Sequence, residues 1–115
     1  MKPIVAVSAA GWMLATLAAL ADPPGNPTEG QRLFLADGCY QCHGTTGAGG
    51  GPAGPLLAPN PPPLAAVKAK LRTPSGRMPV YTPAVLADGQ IADIVAYLQS
   101  IPPGKPAQVI PLLNR

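Results

Sequence analysis

An all-α fold of several short helices joined by long Gly/Pro-rich loops is what this 115-residue sequence predicts, on three observations. With 17 prolines and 13 glycines the chain has room for few long regular elements. Strand-like alternation of apolar and polar residues is weak throughout. Apolar residues instead recur at helical spacing in short stretches, each bounded by a capping residue, a glycine or a proline.

Residues 1–21 stand apart from that fold. Lys2 supplies a minimal positive start, residues 4–20 are uncharged and largely apolar, and Ala19-Leu20-Ala21 is a small-x-small processing site. The expectation is an export signal cleaved after Ala21, where composition changes abruptly to Asp22-Pro23-Pro24. The rival is an uncleaved membrane anchor, since the apolar stretch approaches the ~20 residues a spanning helix needs. No cysteine sits at the processing site, so lipid attachment is not indicated. Residues 22–104 then make one small domain, too small to build a comfortable core from its own side chains.

Within the domain, Thr28 with Gln31 three residues on reads as a capping box. It opens a helix through Arg32-Leu33-Phe34-Leu35 that stops near Gly38. Residues 44–63 are a loop crowded with breakers, whose low side-chain bulk lets its backbone approach a bound group closely. Leu64, Val67 and Leu71 share one helix face, and that helix ends before Pro74. Thr82-Pro83 reads as an N-cap with proline at N1, starting a short turn. Ile91, Ile94, Val95 and Leu98 form an apolar stripe on a last helix, opening near Asp88 and halted by Pro102-Pro103. The prolines of residues 105–115 exclude a continuous helix and favour an extended tail. Val109, Ile110, Leu112 and Leu113 in that tail are apolar enough to need cover, from their own domain or from a partner subunit.

The chemistry lies in Cys39-Tyr40-Gln41-Cys42-His43, because C-x-x-C-H is the c-type haem attachment signature. Two thiols three positions apart reach the two vinyl groups of one porphyrin as thioethers, and the adjacent imidazole becomes an axial iron ligand. Other readings of the pair are weaker. A thioredoxin-like dithiol needs a βαβ setting that the following Gly-rich run does not offer. Structural zinc needs four N or S ligands, whereas Cys39, Cys42 and His43 are all the Cys and His in the chain. A disulfide between Cys39 and Cys42 would close a strained loop and leave His43 without a role.

His, Met, Cys and Tyr are the side chains that commonly hold haem iron axially. No second His exists, and Met1 and Met13 lie in the segment expected to be removed, which leaves Met78. Pro79 biases Met78 toward an extended backbone, as suits a thioether projecting from a loop. If Met78 were only flexible core filler, the iron would be five-coordinate and the protein a gas sensor or peroxidase.

The order Gly30 to Phe34, Cys39 to Gly44, Gly54-Pro55-Leu56, Met78-Pro79-Val80-Tyr81 and Ile91 to Leu98 resembles the small bacterial class I cytochromes c over nearly all the chain after residue 27. The resemblance implies a small cytochrome c fold around one covalently bound haem c. It makes Cys39 and Cys42 the thioethers, His43 the proximal ligand and Met78 the distal one. It matches Pro55 to the proline whose carbonyl accepts the His43 Nδ1 proton, with Pro52 as the alternative. It implies that Gly30 lets the first and last helices cross closely, with Phe34 and Tyr97 packing there. The only tryptophan, Trp12, lies in the N-terminal segment, so Tyr81 or Arg77 would have to replace a tryptophan donor to a haem propionate.

The function expected is one-electron transfer outside the cytoplasm rather than catalysis. Electrons would come from a periplasmic dehydrogenase and pass to a downstream acceptor, with the chain a free carrier or a subunit of an oxidoreductase complex. The formal net charge is +3, and removal of Lys2 with two ionised propionates would bring it near zero. Nucleic-acid binding, which needs a concentrated basic surface, is therefore not expected, and a membrane is involved only if residues 1–21 are retained. Lys68, Lys70 and Arg72 read as a solvated helix face or as a docking patch for an acidic partner.

Overall fold

The computed structural model describes residues 24–49, 51–105 and 109–113. The expected export signal and its cleavage site lie outside the described residues.

Asn26-Pro27 opens the first helix, α1 (Pro27–Ala36). The Asn26 side-chain oxygen accepts from the backbone N–H groups of Thr28 and Glu29 at 3.0 and 3.3 Å, satisfying two amides that a helix start leaves without partners. Pro27, at the first helical position, has no N–H to satisfy. This corrects the capping box expected at Thr28 and Gln31. Both are local possibilities, but Asn26 already accepts from the Thr28 and Glu29 amides and Pro27 fits the first helical position, so the cap falls two residues before Thr28.

Three further helices follow. The single-turn α2 (Tyr40–His43) comes directly after a glycine turn, α3 is Leu64–Arg72, and α4 is Asp88–Ser100. Helix α4 lacks a capping side chain at Ala87, but the Gln90 side chain reaches back to accept from the Ala87 N–H at 2.8 Å. It ends where Pro102-Pro103 cannot continue it. No strand occurs among the described residues, so the all-α expectation holds. Neither is any described helix long and apolar enough to cross a membrane.

The core forms where α1 crosses α4. Phe34, Leu86 and Ile91 are fully buried and Leu98 nearly so, each burial contributing roughly 1.5–3 kcal/mol. The Phe34 and Tyr97 rings lie 5.7 Å apart at 57°, a tilted aromatic pair. Gly30 permits the crossing. A Cβ there would overlap the Asp93 carbonyl and lie 2.8 Å from Tyr97 Cβ. The Asn26 N–H donates to Asp93 Oδ1 at 2.7 Å and ties the start of α1 to the same helix.

Residues 44–63 contain no helix, as their breakers predict, apart from Gly50, which lies outside the described residues. The loop is held by backbone bonds instead. Gly47 O accepts from both Leu57 N and Ala58 N at 2.8 and 2.9 Å. Residues 73–87 are likewise irregular. Thr82 O accepts from Val85 N and Leu86 N at 3.0 and 2.9 Å, so Thr82-Pro83 starts a turn and no helix. The described part of the tail is not wholly extended: Pro111–Leu113 form one 3-10 turn, and Val109 and Leu112 are exposed.

Candidate functional site

Helix α2 is one turn long because glycines bracket it, Gly38 at φ +77° before and Gly44 at φ +78° after. That turn places Cys39, Cys42 and His43 on the wall of a single cavity of about 870 Å³, a size within the usual range for buried cofactors and ligands. Phe34, Ile94 and Leu98 from the helix crossing line the same cavity, as do Leu57, Val67 and Leu71.

His43 is buried, 8% exposed, and its Nδ1 lies 2.8 Å from the carbonyl oxygen of Pro55. A carbonyl can only accept, so Nδ1 is the protonated nitrogen and Nε2 is left as the lone-pair donor for a metal. Between the two openings the family likeness left for this carbonyl, Pro52 or Pro55, the geometry selects Pro55. Gly54 makes this approach possible. A Cβ on it would stand 3.0 Å from both Nδ1 and Cε1 of His43 and 2.9 Å from the Cys42 carbonyl oxygen.

The two cysteines are not joined to each other and differ in setting. Cys39 packs against the core, and burial, with a smaller contribution from the Asp37 charge, pushes its thiol up to about 11. Cys42 is exposed at the cavity rim. Met78 is half-buried against the core and lines the same cavity as His43. Residue types able to make two thioethers and to supply one imidazole and one thioether ligand thus surround one apolar space. They fit a covalently held haem.

Of the two residues expected near a propionate, Tyr81 and Arg77, the first is engaged elsewhere. The Tyr81 hydroxyl donates to the Asp37 backbone carbonyl at 2.8 Å, so its proton is engaged within the protein and is not aimed at a propionate. Burial and the neighbouring thiol of Cys39 push the Tyr81 phenol above its ordinary value. Arg77 lines the cavity. Asp37 has one buried carboxylate oxygen without a hydrogen-bond partner, and burial raises its carboxyl.

The basic residues of α3 each have a partner within the chain. Arg72 Nη2 meets Asp88 Oδ1 at 2.6 Å, and Lys68 lies 3.7 Å from the other oxygen of that carboxylate. Lys70 donates to the Ser75 hydroxyl. The sequence reading missed these partners because Asp88 stands on another helix. Among the described residues no three His, Cys, Asp or Glu side chains converge to share a metal ion in the way structural zinc requires.

The comparison with protein families agrees with this geometry. A family model described as cytochrome c oxidase, cbb3-type, subunit III matches residues 25–98, which run from α1 to all but the last two residues of α4 and include both loops facing the cavity. No curated protein and no solved structure matches the chain. A match over that length joins the C-x-x-C-H turn, the Pro55 carbonyl contact and the apolar cavity into one assignment: the chain belongs to this family, as a small electron-transfer cytochrome with one covalently bound haem c.

Proposed function

We propose that this chain is a periplasmic monohaem cytochrome that passes single electrons with His43 and Met78 as its two axial iron ligands. The observation that carries the proposal is the placement of Met78 and His43 on one apolar cavity, with His43 Nδ1 committed to Pro55. Cys39 and Cys42 supply the thioethers, and the Pro55 carbonyl fixes the imidazole's orientation and raises its basicity. The bound haem supplies the Fe(III)/Fe(II) couple, and methionine ligation raises its potential. The buried wall residues Phe34, Leu71, Leu86, Ile94 and Leu98 are apolar, which favours electron exchange over substrate binding.

The partner is a redox protein. The sequence reading favours a periplasmic dehydrogenase as donor with a downstream acceptor, and the oxidase subunit named in the family description adds a terminal oxidase as the complex to which such a chain could belong. Export rests on the Ala19-Leu20-Ala21 site, with residues 1–21 removed. N-terminal sequencing of the exported protein tests this, and should begin at Asp22.

The deciding experiment is spectroscopic. The chain, expressed with a haem-attachment system, should gain the mass of one haem, and the oxidised protein should show the far-red Met-to-iron charge-transfer band. Slow or absent carbon monoxide binding by the reduced protein is expected. A missing band with fast, tight ligand binding would instead establish the five-coordinate gas sensor or peroxidase.

A further inference from the structure

The loop that carries Met78 has little of its own to hold it. Among the described residues, no backbone-to-backbone hydrogen bond involves residues 74–80, and Pro79 has no N–H to donate. The segment just after it is tied down. The Tyr81 N–H donates to Leu71 O at 3.0 Å and the Tyr81 hydroxyl to Asp37 O at 2.8 Å. A single guanidinium then joins two points of the loop. Arg72 Nη1 donates to Tyr81 O at 2.6 Å, and Nη2 donates to Leu86 O at 2.8 Å and to Asp88 Oδ1 at 2.6 Å. Leu86 is itself fully buried.

We propose that Arg72 is a positioning residue for the distal ligand: by holding the Tyr81 and Leu86 carbonyls on one rigid fork, it limits how far Met78 can leave the iron. The inference rests on the reading of Met78 as an axial ligand. Arginine suits the task because its planar guanidinium presents five donors in fixed directions, so two carbonyls and a carboxylate are met at once. A lysine ammonium offers a point charge on a flexible stem and cannot keep both carbonyls at that separation. Asp88 orients the guanidinium from the outside, where its carboxylate is largely exposed. The fork runs from the last turn of α3 to the Tyr81 and Leu86 carbonyls and the start of α4, so it bridges the stretch that follows Met78.

The test is cyanide binding to the oxidised, haem-loaded protein, because cyanide enters at the rate at which Met78 leaves. Arg72→Met should keep its covalent haem and helical content, bind cyanide roughly tenfold faster or more, and show a weaker far-red band. Arg72→Lys should also bind faster, since it keeps the charge and loses the fork. Asp88→Asn leaves both carbonyl bonds and should change the rate much less. Wild-type rates in Arg72→Met overturn the proposal, and so does an Asp88→Asn rate equal to that of Arg72→Met, which would make the ion pair the cause. Should Arg72→Met fail to fold, Arg72→Lys decides, and a wild-type rate there overturns the fork. A wild type lacking the band altogether overturns the Met78 reading and this inference with it, whereas a normal wild type whose Arg72 variants keep an equally strong band overturns the inference alone.

Discussion

The crossing of α1 and α4 and the loop of residues 73–87 face the same cavity but are held by different forces. At the crossing, two regular helices approach across Gly30, and Phe34, Ile91, Tyr97 and Leu98 are removed from water together. In the loop, no periodic structure exists, Val80 and Val85 are exposed, and order comes from a few polar ties at Tyr81, Thr82 and Leu86. Burial of contiguous apolar surface is cooperative, so damage at the crossing should be felt across the whole domain. Ties made at a few points act locally, so damage in the loop should reach the iron's ligand set before it reaches the fold.

The largest expected effect removes the body that both regions cover. Joint replacement of Cys39 and Cys42 by Ser should abolish covalent haem attachment and leave an open apolar cavity of about 870 Å³ that this small core cannot close. Mass spectrometry should find no haem adduct, and far-UV circular dichroism should find little stable helix. A soluble, natively folded chain without haem would show that the two regions form a core unaided.

Next comes the crossing itself. Phe34→Ala should cost about 3–5 kcal/mol by cavity formation, and Gly30→Val should be worse because the Asp93 carbonyl occupies the space a Cβ needs. Thermal unfolding of the oxidised holoprotein measures both. If Gly30→Val melts like the wild type, the helices do not cross as closely as described, and the contrast between the regions fails.

Met78→Ala sharpens the contrast from the other side. It should open the distal position, abolish the far-red band and admit cyanide, with a far smaller loss of thermal stability than Phe34→Ala, because Met78 is only half-buried. Met78→His should keep six-coordination and lower the potential. A collapse of the fold in Met78→Ala would mean the loop is part of the core.

The smallest effect concerns the exposed end of the arginine fork. The Arg72 hydrogen bond, and then the Lys68 and Arg72 charges, hold the Asp88 carboxyl below its ordinary value of 3.8. A depressed carboxyl contributes stability above its unfolded value and loses it as pH falls through the folded one. The wild type should therefore exceed Asp88→Asn slightly in melting temperature at neutral pH, since exposed pairs are weak. The gap should close as the pH drops below the usual carboxylate range. A gap that widens on acidification would contradict this assignment.

Much of this protein was legible in residue order. The C-x-x-C-H run states a covalent attachment in five consecutive residues. Helices α3 and α4 follow from apolar spacing and from prolines that cannot continue them. These features are legible because their physical causes act between neighbours on one turn or along one bond path.

Tertiary structure decided the rest. It selected Pro55 over Pro52 for His43, because only folding of the Gly-rich loop brings one carbonyl to the imidazole. It paired Arg72 and Lys68 of α3 with the exposed carboxylate of Asp88, 16 residues from Arg72 in sequence, and gave the Tyr81 hydroxyl to Asp37, 44 residues away. At α1 the choice between Asn26 and Thr28 as cap was reinforced from Asp93, 67 residues on. A hydrogen bond is short-ranged and directional, so its partner is set by where helices cross, and the one-dimensional spacing of residues carries no record of that crossing.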